Sequence, residues 1–291
     1  MVRDGAFLDS VRGLRWPARR PVRSGLSGTH HSRMRGSAPE LAEYKLYRQG
    51  DEARRIDWKL LARSDRAYIR LAPERATLAT TILVDSSASM AFPESGNSKW
   101  DFARRVAIGL AAVAHRGGDP VGITLPSDGG NRYLPPRTRR GVVAEIAGLV
   151  SGAQAGGEQS LSPFIAVAHA TPRLAIVSDF LDDLEGVLRP VRAHVAAGGE
   201  VHLIHVVAME ELEPPHRSMV AVDPENTALQ RTFAEAVRIE YQTAFREWRE
   251  GLARMALQAG AFYTLALTSE PADRVVRRVV TAPGAATRPI G

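Results

Sequence analysis

Leu78-Ala79-Thr80-Thr81-Ile82-Leu83-Val84-Asp85-Ser86-Ser87-Ala88-Ser89 is the stretch on which the fold turns. Residues 78–84 are apolar or β-branched and suit a strand buried on both faces, as in a parallel sheet. Asp85 and its hydroxylic neighbours then emerge at the carboxyl end of that strand, where open α/β sheets bind ligands. One carboxylate with hydroxyls two residues apart converges oxygen donors on a point, which suits a small hard cation such as Mg²⁺ or Mn²⁺. The competing reading has Asp85 and Ser87 capping the next helix, since Asp and Ser are favoured N-caps.

Working outward, apolar runs and helical periodicities alternate. Phe102, Val106, Leu110 and Val113 recur at helical spacing within residues 98–115, and Gly117-Gly118 closes that element. A short strand is expected at 121–125, paired with an edge strand at 132–134 that Pro135-Pro136 ends. Helices are expected at 138–150 and 162–170, with a Gly-rich loop around 156–160 between them. The run 174–177 delivers Ser178-Asp179 to its end and repeats the geometry at Asp85. A helix at 183–196, a strand at 201–207, a long helix within 224–259, a strand at 262–267 and a helix at 271–280 complete the order. The expected fold class is α/β, a doubly wound, mostly parallel sheet, with an N-terminal extension whose strand at 67–71 adds to that sheet.

Composition limits the functions available. The chain has 291 residues, 44% hydrophobic and 24% charged, enough for a sizeable core. It has no cysteine, so disulfides, thiolate metal sites and a thiol nucleophile are excluded. Residues 1–7 lack the apolar run of a secretory signal, and the longest apolar stretch, 106–114, is too short to span a bilayer; a cytoplasmic protein is expected. The basic pI near 10 is concentrated in residues 1–40, which carry eight Arg against Asp4, Asp9 and Glu40. Residues 1–35 therefore read as a basic, solvated or partly ordered leader, and nucleic acid is not the expected partner.

The carboxylates at two strand ends, Asp85 and Asp179, with Ser87 and Ser89, are the metal-site candidates, and the loop 157–161 offers Gln159 or Ser160 as a further oxygen ligand. G-x-S-x-G is absent at Ser87 and Ser178, and no phosphate-binding G-x-x-x-x-G-K-[S/T] occurs. His202 and His205 lie an odd number apart on one strand and face opposite sides. Phe233, Val237, Tyr241, Phe245 and Trp248 read as a core-facing helical stripe.

Asp85-x-Ser87-x-Ser89 with Ser178-Asp179 resembles the metal-ion-dependent adhesion site of von Willebrand factor A domains. Gly28-x-x-x-Ser32, Arg35-Gly36, Glu40, Tyr47-Arg48-x-Gly50-Asp51, Arg54-x-Ile56-Asp57-Trp58 and Ala62-Arg63 resemble the signature of the bacterial domain-of-unknown-function family 58. That resemblance implies a Rossmann-like von Willebrand factor A domain over 78–285, preceded by a signature segment at 36–77 that packs on the sheet. It also implies an adaptor or assembly role beside a MoxR-type AAA+ ATPase or its client. The family's usual loop threonine is replaced, because the loop here reads Gly157-Glu158-Gln159-Ser160-Leu161. For Arg54, Arg55, Asp57 and Trp58 two readings stand: Trp58 anchors the segment with Asp57 paired to an Arg, or the four form a docking surface. The expected function is a non-enzymatic interaction module binding a partner carboxylate through the cation. The alternatives are a metal-dependent hydrolase at the same pocket and an RNA- or lipid-binding protein working through the leader.

Overall fold

The computed structural model describes residues 2–19, 27–31, 43–49, 53–64, 66–71, 75–94, 96–127, 130–168, 171–181, 183–214, 219–222, 230–233 and 235–281. The N-terminal elements are α1 (Val2–Ser10), β1 (Ser27–His31), β2 (Glu43–Leu46), α2 (Trp58–Ser64), β3 (Tyr68–Leu71) and β4 (Arg75–Ala76). The central elements are β5 (Thr80–Val84), α3 (Lys99–Arg116), β6 (Val121–Leu125), β7 (Arg132–Arg137), α4 (Val142–Ser151), α5 (Ser162–Val167), β8 (Arg173–Ser178), α6 (Leu184–Ala196) and β9 (Glu200–Val207). They are followed by α7 (Met209–Leu212), β10 (Met219–Val222), β11 (Gln230–Phe233), α8 (Glu235–Gln258), β12 (Phe262–Leu267) and α9 (Ala272–Thr281).

Six strands form one sheet in the order β12-β9-β8-β5-β6-β7, parallel except for the antiparallel edge strand β7. Side chains alternate across it as a strand's period of two requires. Ile82 and Val84 of β5, Ala175 and Val177 of β8, and Ile204 and Val206 of β9 pack on one face with α3 and α9. Leu83, Leu174, Ile176, Val201 and Leu203 pack on the other with residues of α5, α6 and α8. The doubly wound expectation holds, and β5 lies within the sheet, carrying its carboxyl end to the middle of one rim.

Four local expectations are corrected. The strand at β3 forms, but it pairs with β2 in a two-stranded ribbon instead of extending the sheet, while β1 pairs with β4. Pro135 and Pro136 do not end β7; the strand runs through them to Arg137. That is tolerable because β7 is an edge strand and the ladder bulges there, Val121 facing Arg137 and Ile123 facing Leu134. The aromatic stripe is only partly core-facing. Val237 is exposed, whereas Leu252, Ala256 and Ala259 are the buried residues at that end of the chain's long helical segment. A β10–β11 hairpin precedes α8 where a longer helix was expected.

The leader is also corrected in part. Val11 and Trp16 are buried, and the Arg19 backbone N–H donates to Glu200 Oε2 at 2.7 Å, so this stretch is fastened to the domain. The rest of the leader apart from β1, together with Ser32, Arg35-Gly36, Glu40, Gly50-Asp51 and the Arg55 side chain, lies outside the described residues.

Candidate functional site

The turn after β5 is fixed before any side chain is considered. The Asp85 N–H donates to Val177 O at 2.9 Å, extending the β5–β8 ladder by one residue. The Gly-rich loop is pinned over it by backbone bonds, Ala88 N–H to Gly157 O at 3.0 Å and Gly156 N–H to Ser86 O at 2.8 Å. Ser86 Oγ points away from this loop and donates to Pro126 O beyond β6.

Within that frame Asp85 is 4% exposed. Its Oδ1 accepts the Ser87 N–H at 2.9 Å and its Oδ2 accepts the Ser178 hydroxyl at 2.5 Å. Ser87 Oγ and Ser89 Oγ lie 3.1 Å apart, both buried, and share one proton between them. Ser87 stands at the N-cap position of a short 3-10 helix, Ala88–Ala91, but its side chain makes no capping bond there, and α3, which begins at Lys99, is capped by Ser98, whose Oγ accepts the Asp101 N–H at 3.1 Å. Burial first, and then the negative charge of Asp179, push the Asp85 carboxyl up to about 6, against the bonds from Ser178 and Ser87.

Asp179 follows β8 and is 2% exposed. Its Oδ2 accepts the Lys99 ammonium at 2.7 Å, and the same ammonium donates to Glu211 Oε1 at 2.6 Å. Burial alone would lower the Lys99 pKa; Asp179 and Glu211 outweigh it and hold the ammonium charged. Glu211 is fixed in turn by the Ala208 N–H, at 2.7 Å from its Oε2. Phe180, with φ +55°, turns the chain after Asp179, and its N–H donates to Ser178 Oγ at 2.9 Å. Two apolar side chains rim this polar pit. Phe92, 39% exposed, has its ring 5.8 Å from Lys99 Nζ, and Leu181, 49% exposed, donates its N–H to Asp179 Oδ1 at 3.3 Å.

Asp85, Ser87, Ser89 and Asp179 thus meet at one rim of the sheet. Ser160 does not share in their hydrogen bonds among the described residues. It is exposed, and its Oγ accepts the Ser162 N–H at 3.3 Å at the start of α5. Sequence reasoning missed Lys99 and Glu211 and did not count Ser178 among the site residues. A signal existed for Lys99: a cation in the first turn of a helix opposes the backbone dipole and calls for a buried anion nearby. Nothing local marked Glu211 as its second partner.

His202 and His205 do face opposite sides. His202 bonds to Glu200 Oε1 at 2.7 Å. His205 Nδ1 bonds to Tyr263 Oη at 2.7 Å, and burial pushes it down to about 3, so it is a neutral packing residue. In the signature segment, Asp57 caps α2: its Oδ1 accepts the Lys59 and Leu60 N–H groups at 3.1 and 3.0 Å, and its Oδ2 accepts the Tyr44 hydroxyl at 3.1 Å. Trp58 is 64% exposed, so it is no buried anchor; Arg54 is exposed as well.

The donor set suits a small divalent cation. Two buried hydroxyls 3.1 Å apart retain lone pairs, and the Asp85 carboxyl beside them, raised first by burial and then by the charge of Asp179, adds oxygen donors. No group of three or more His, Asp or Glu side chains that could hold a metal ion occurs among the described residues, so such an ion would rest on hydroxyl and carboxylate oxygens together.

A parallel sheet with an antiparallel edge strand, helices on both faces, and a carboxylate-hydroxyl turn at the central carboxyl rim define a doubly wound α/β domain. The family described as "Protein of unknown function DUF58" matches residues 43–251, and the chain belongs to it. It is 27% identical over 267 residues to the uncharacterized proteins Rv1480 of Mycobacterium tuberculosis and Mb1516 of Mycobacterium bovis, covering 89% of this chain and 84% of each of those. Among solved structures, BatB from Bacteroides thetaiotaomicron superposes with TM-score 0.47 at 16% identity, covering 70% of this chain and 97% of that one. The SpRpn10 VWA domain does so with TM-score 0.42 at 11% identity, covering 69% of this chain and 94% of that one. No described helix is long and apolar enough to cross a membrane.

Proposed function

We propose that this domain is a non-enzymatic interaction module that captures a carboxylate of a protein partner through a divalent cation. Ser87 and Ser89 would hold the ion directly, and Asp85 and Asp179 through water. Bound there, Mg²⁺ or Mn²⁺ would offer an open coordination position to the incoming carboxylate. Phe92 and Leu181 on the rim supply apolar contact around it, the pattern of a desolvated centre bordered by side chains that exclude water. The observation that carries the reading is the 3.1 Å pair of buried hydroxyls beside a carboxyl that lacks a cation of its own. The Lys99 ammonium is shared between Asp179 and Glu211 and gives Asp85 no hydrogen bond among those described. A MoxR-type AAA+ ATPase or its client is the partner class that family membership suggests, and the absence of a phosphate-binding loop in the sequence fits a protein that relies on another chain for nucleotide hydrolysis.

The test is calorimetric titration with MgCl₂ and with MnCl₂ of the wild type and of the Ser87→Ala/Ser89→Ala double variant, with circular dichroism on both. Saturable uptake by the wild type that the variant loses while keeping its fold is expected. A folded wild type that takes up neither ion, alone or with a purified MoxR-type ATPase, overturns the proposal.

A further inference from the structure

The signature segment carries a surface that the cation site does not use. Trp58 opens α2 with 64% of its surface exposed, and none of the helix's residues is buried. One turn on, the position four residues later is Ala62, too small to cover the indole. Tyr44 and Leu46, 42% and 50% exposed, share one face of β2. They are held beside the helix start by two bonds: Tyr44 Oη donates to Asp57 Oδ2 at 3.1 Å, and the Asp57 N–H donates at 2.9 Å to the carbonyl of Tyr68, which faces Leu46 across the ribbon. A large aromatic, a phenol and a leucine left in water on two elements that these bonds tie together suggest an interaction surface, since exposed apolar residues are ordinarily scattered.

Charge says what fits it. Residues 44–70 contain eight Lys and Arg against four Asp and Glu. Lys59 and Arg63, four apart on α2 and both exposed, share the side of the helix adjacent to the one Trp58 occupies, and Arg54 is exposed just before it. Of the four acids, Asp57 is committed to capping α2. The chain's own ends are excluded as occupants by charge: residues 1–35 hold eight Arg against two Asp, and residues 282–291 hold Arg288 and no acid. Stacking of successive bases needs a row of open rings. Here one indole stands open, the Tyr44 phenol is tied to Asp57, and the third apolar group is aliphatic.

We infer that the Trp58 face, with Tyr44, Leu46, Lys59 and Arg63, is a docking surface for an acidic segment of another protein that inserts an apolar side chain against the indole. It is independent of the divalent cation and of Asp85.

The test pans a random peptide library against the full chain in EDTA and titrates the most enriched peptide against wild type, Trp58→Ala and Lys59→Glu/Arg63→Glu. These residues are exposed, and unchanged circular dichroism and melting establish that the variants fold. Enriched peptides rich in Asp and Glu around an aromatic or aliphatic residue, bound at least about tenfold more weakly by each variant, are expected. Neutral or basic peptides, or peptides that Trp58→Ala binds as well as wild type, overturn the inference. It is equally overturned if Trp58-dependent binding is tighter to phosphatidylserine-containing vesicles or to a single-stranded oligonucleotide than to any enriched peptide.

Discussion

At Lys99 a cation stands in the first turn of α3, where the helix dipole disfavours it, and it is 1% exposed. The position is stable only because Asp179 and Glu211 both reach the ammonium. Removing one partner of a buried ion pair leaves the others uncompensated and costs about 3–5 kcal/mol. Lys99→Met is therefore expected to lower unfolding stability by about that amount, read from urea denaturation midpoints with the slope unchanged. A loss below about 1 kcal/mol would mean that Asp179 and Glu211 are neutralised by another route. The Asp85 and Ser87 signal was legible in the sequence because strand, carboxylate and hydroxyls are contiguous. The Lys99 and Glu211 part was not, because its members lie 80 and 112 positions apart from their partners and meet only when the sheet closes.

Among the elements, β6 and β7 show what a pattern of residue types conceals. Two adjacent prolines read as a strand end, since proline donates nothing to a ladder. In the folded chain they occupy a bulge on an edge strand, and the residue across from them makes that possible. A Cβ on Gly122 would come within 2.3 Å of Leu134 O and 2.6 Å of Pro136 N, both backbone atoms with nowhere to yield. Gly122→Ala is expected to cost about 1–3 kcal/mol and to increase amide exchange in residues 132–137 before the rest of the sheet. Equal exchange in β7 of variant and wild type would show that the edge absorbs the methyl group. Strands β5, β8, β9 and the edge strand β12 were legible to within a residue or two because each is a short apolar run. The ribbons were harder: β2 and β3 have no long apolar stretch to announce a partner, so which sheet β3 joins was settled by pairing and not by pattern.

Across the whole molecule, polar chemistry is separated between the two rims of the sheet. The carboxyl rim holds Asp85 and Asp179, while the amino rim holds a closed ionic network. Arg173, fully buried, donates to Glu200 at 3.0 Å and to Asp119 at 3.4 Å, and its guanidinium lies 4.4 Å from the centroid of the Trp16 ring. Burial alone would raise the Glu200 pKa; Arg173, His202 and the Arg19 N–H outweigh it and hold the carboxyl far below the carboxylate range. A carboxyl depressed in the folded state stabilises it above the unfolded pKa, and that stability is lost as pH falls. Wild-type stability is expected to decline on acidification below the ordinary glutamate value of 4.5, and Glu200→Gln, weaker at neutral pH, is expected to decline less over the same range. Parallel acid limbs for the two proteins in denaturant titrations would exclude Glu200 as the source.

The bond from Arg19 to Glu200 joins residues 181 positions apart. A ribosome releases the N-terminal segment first, yet its binding groove on the amino rim exists only after β8 and β9 have been made and paired, which leaves Trp16 and its neighbours waiting through most of synthesis. Trp16 and Arg19 thus dock only once β9 is in place, and a nascent or truncated product lacking β9 would present an uncovered tryptophan and its neighbouring arginines to chaperones and proteases, so formation of β9 is registered far upstream in the chain.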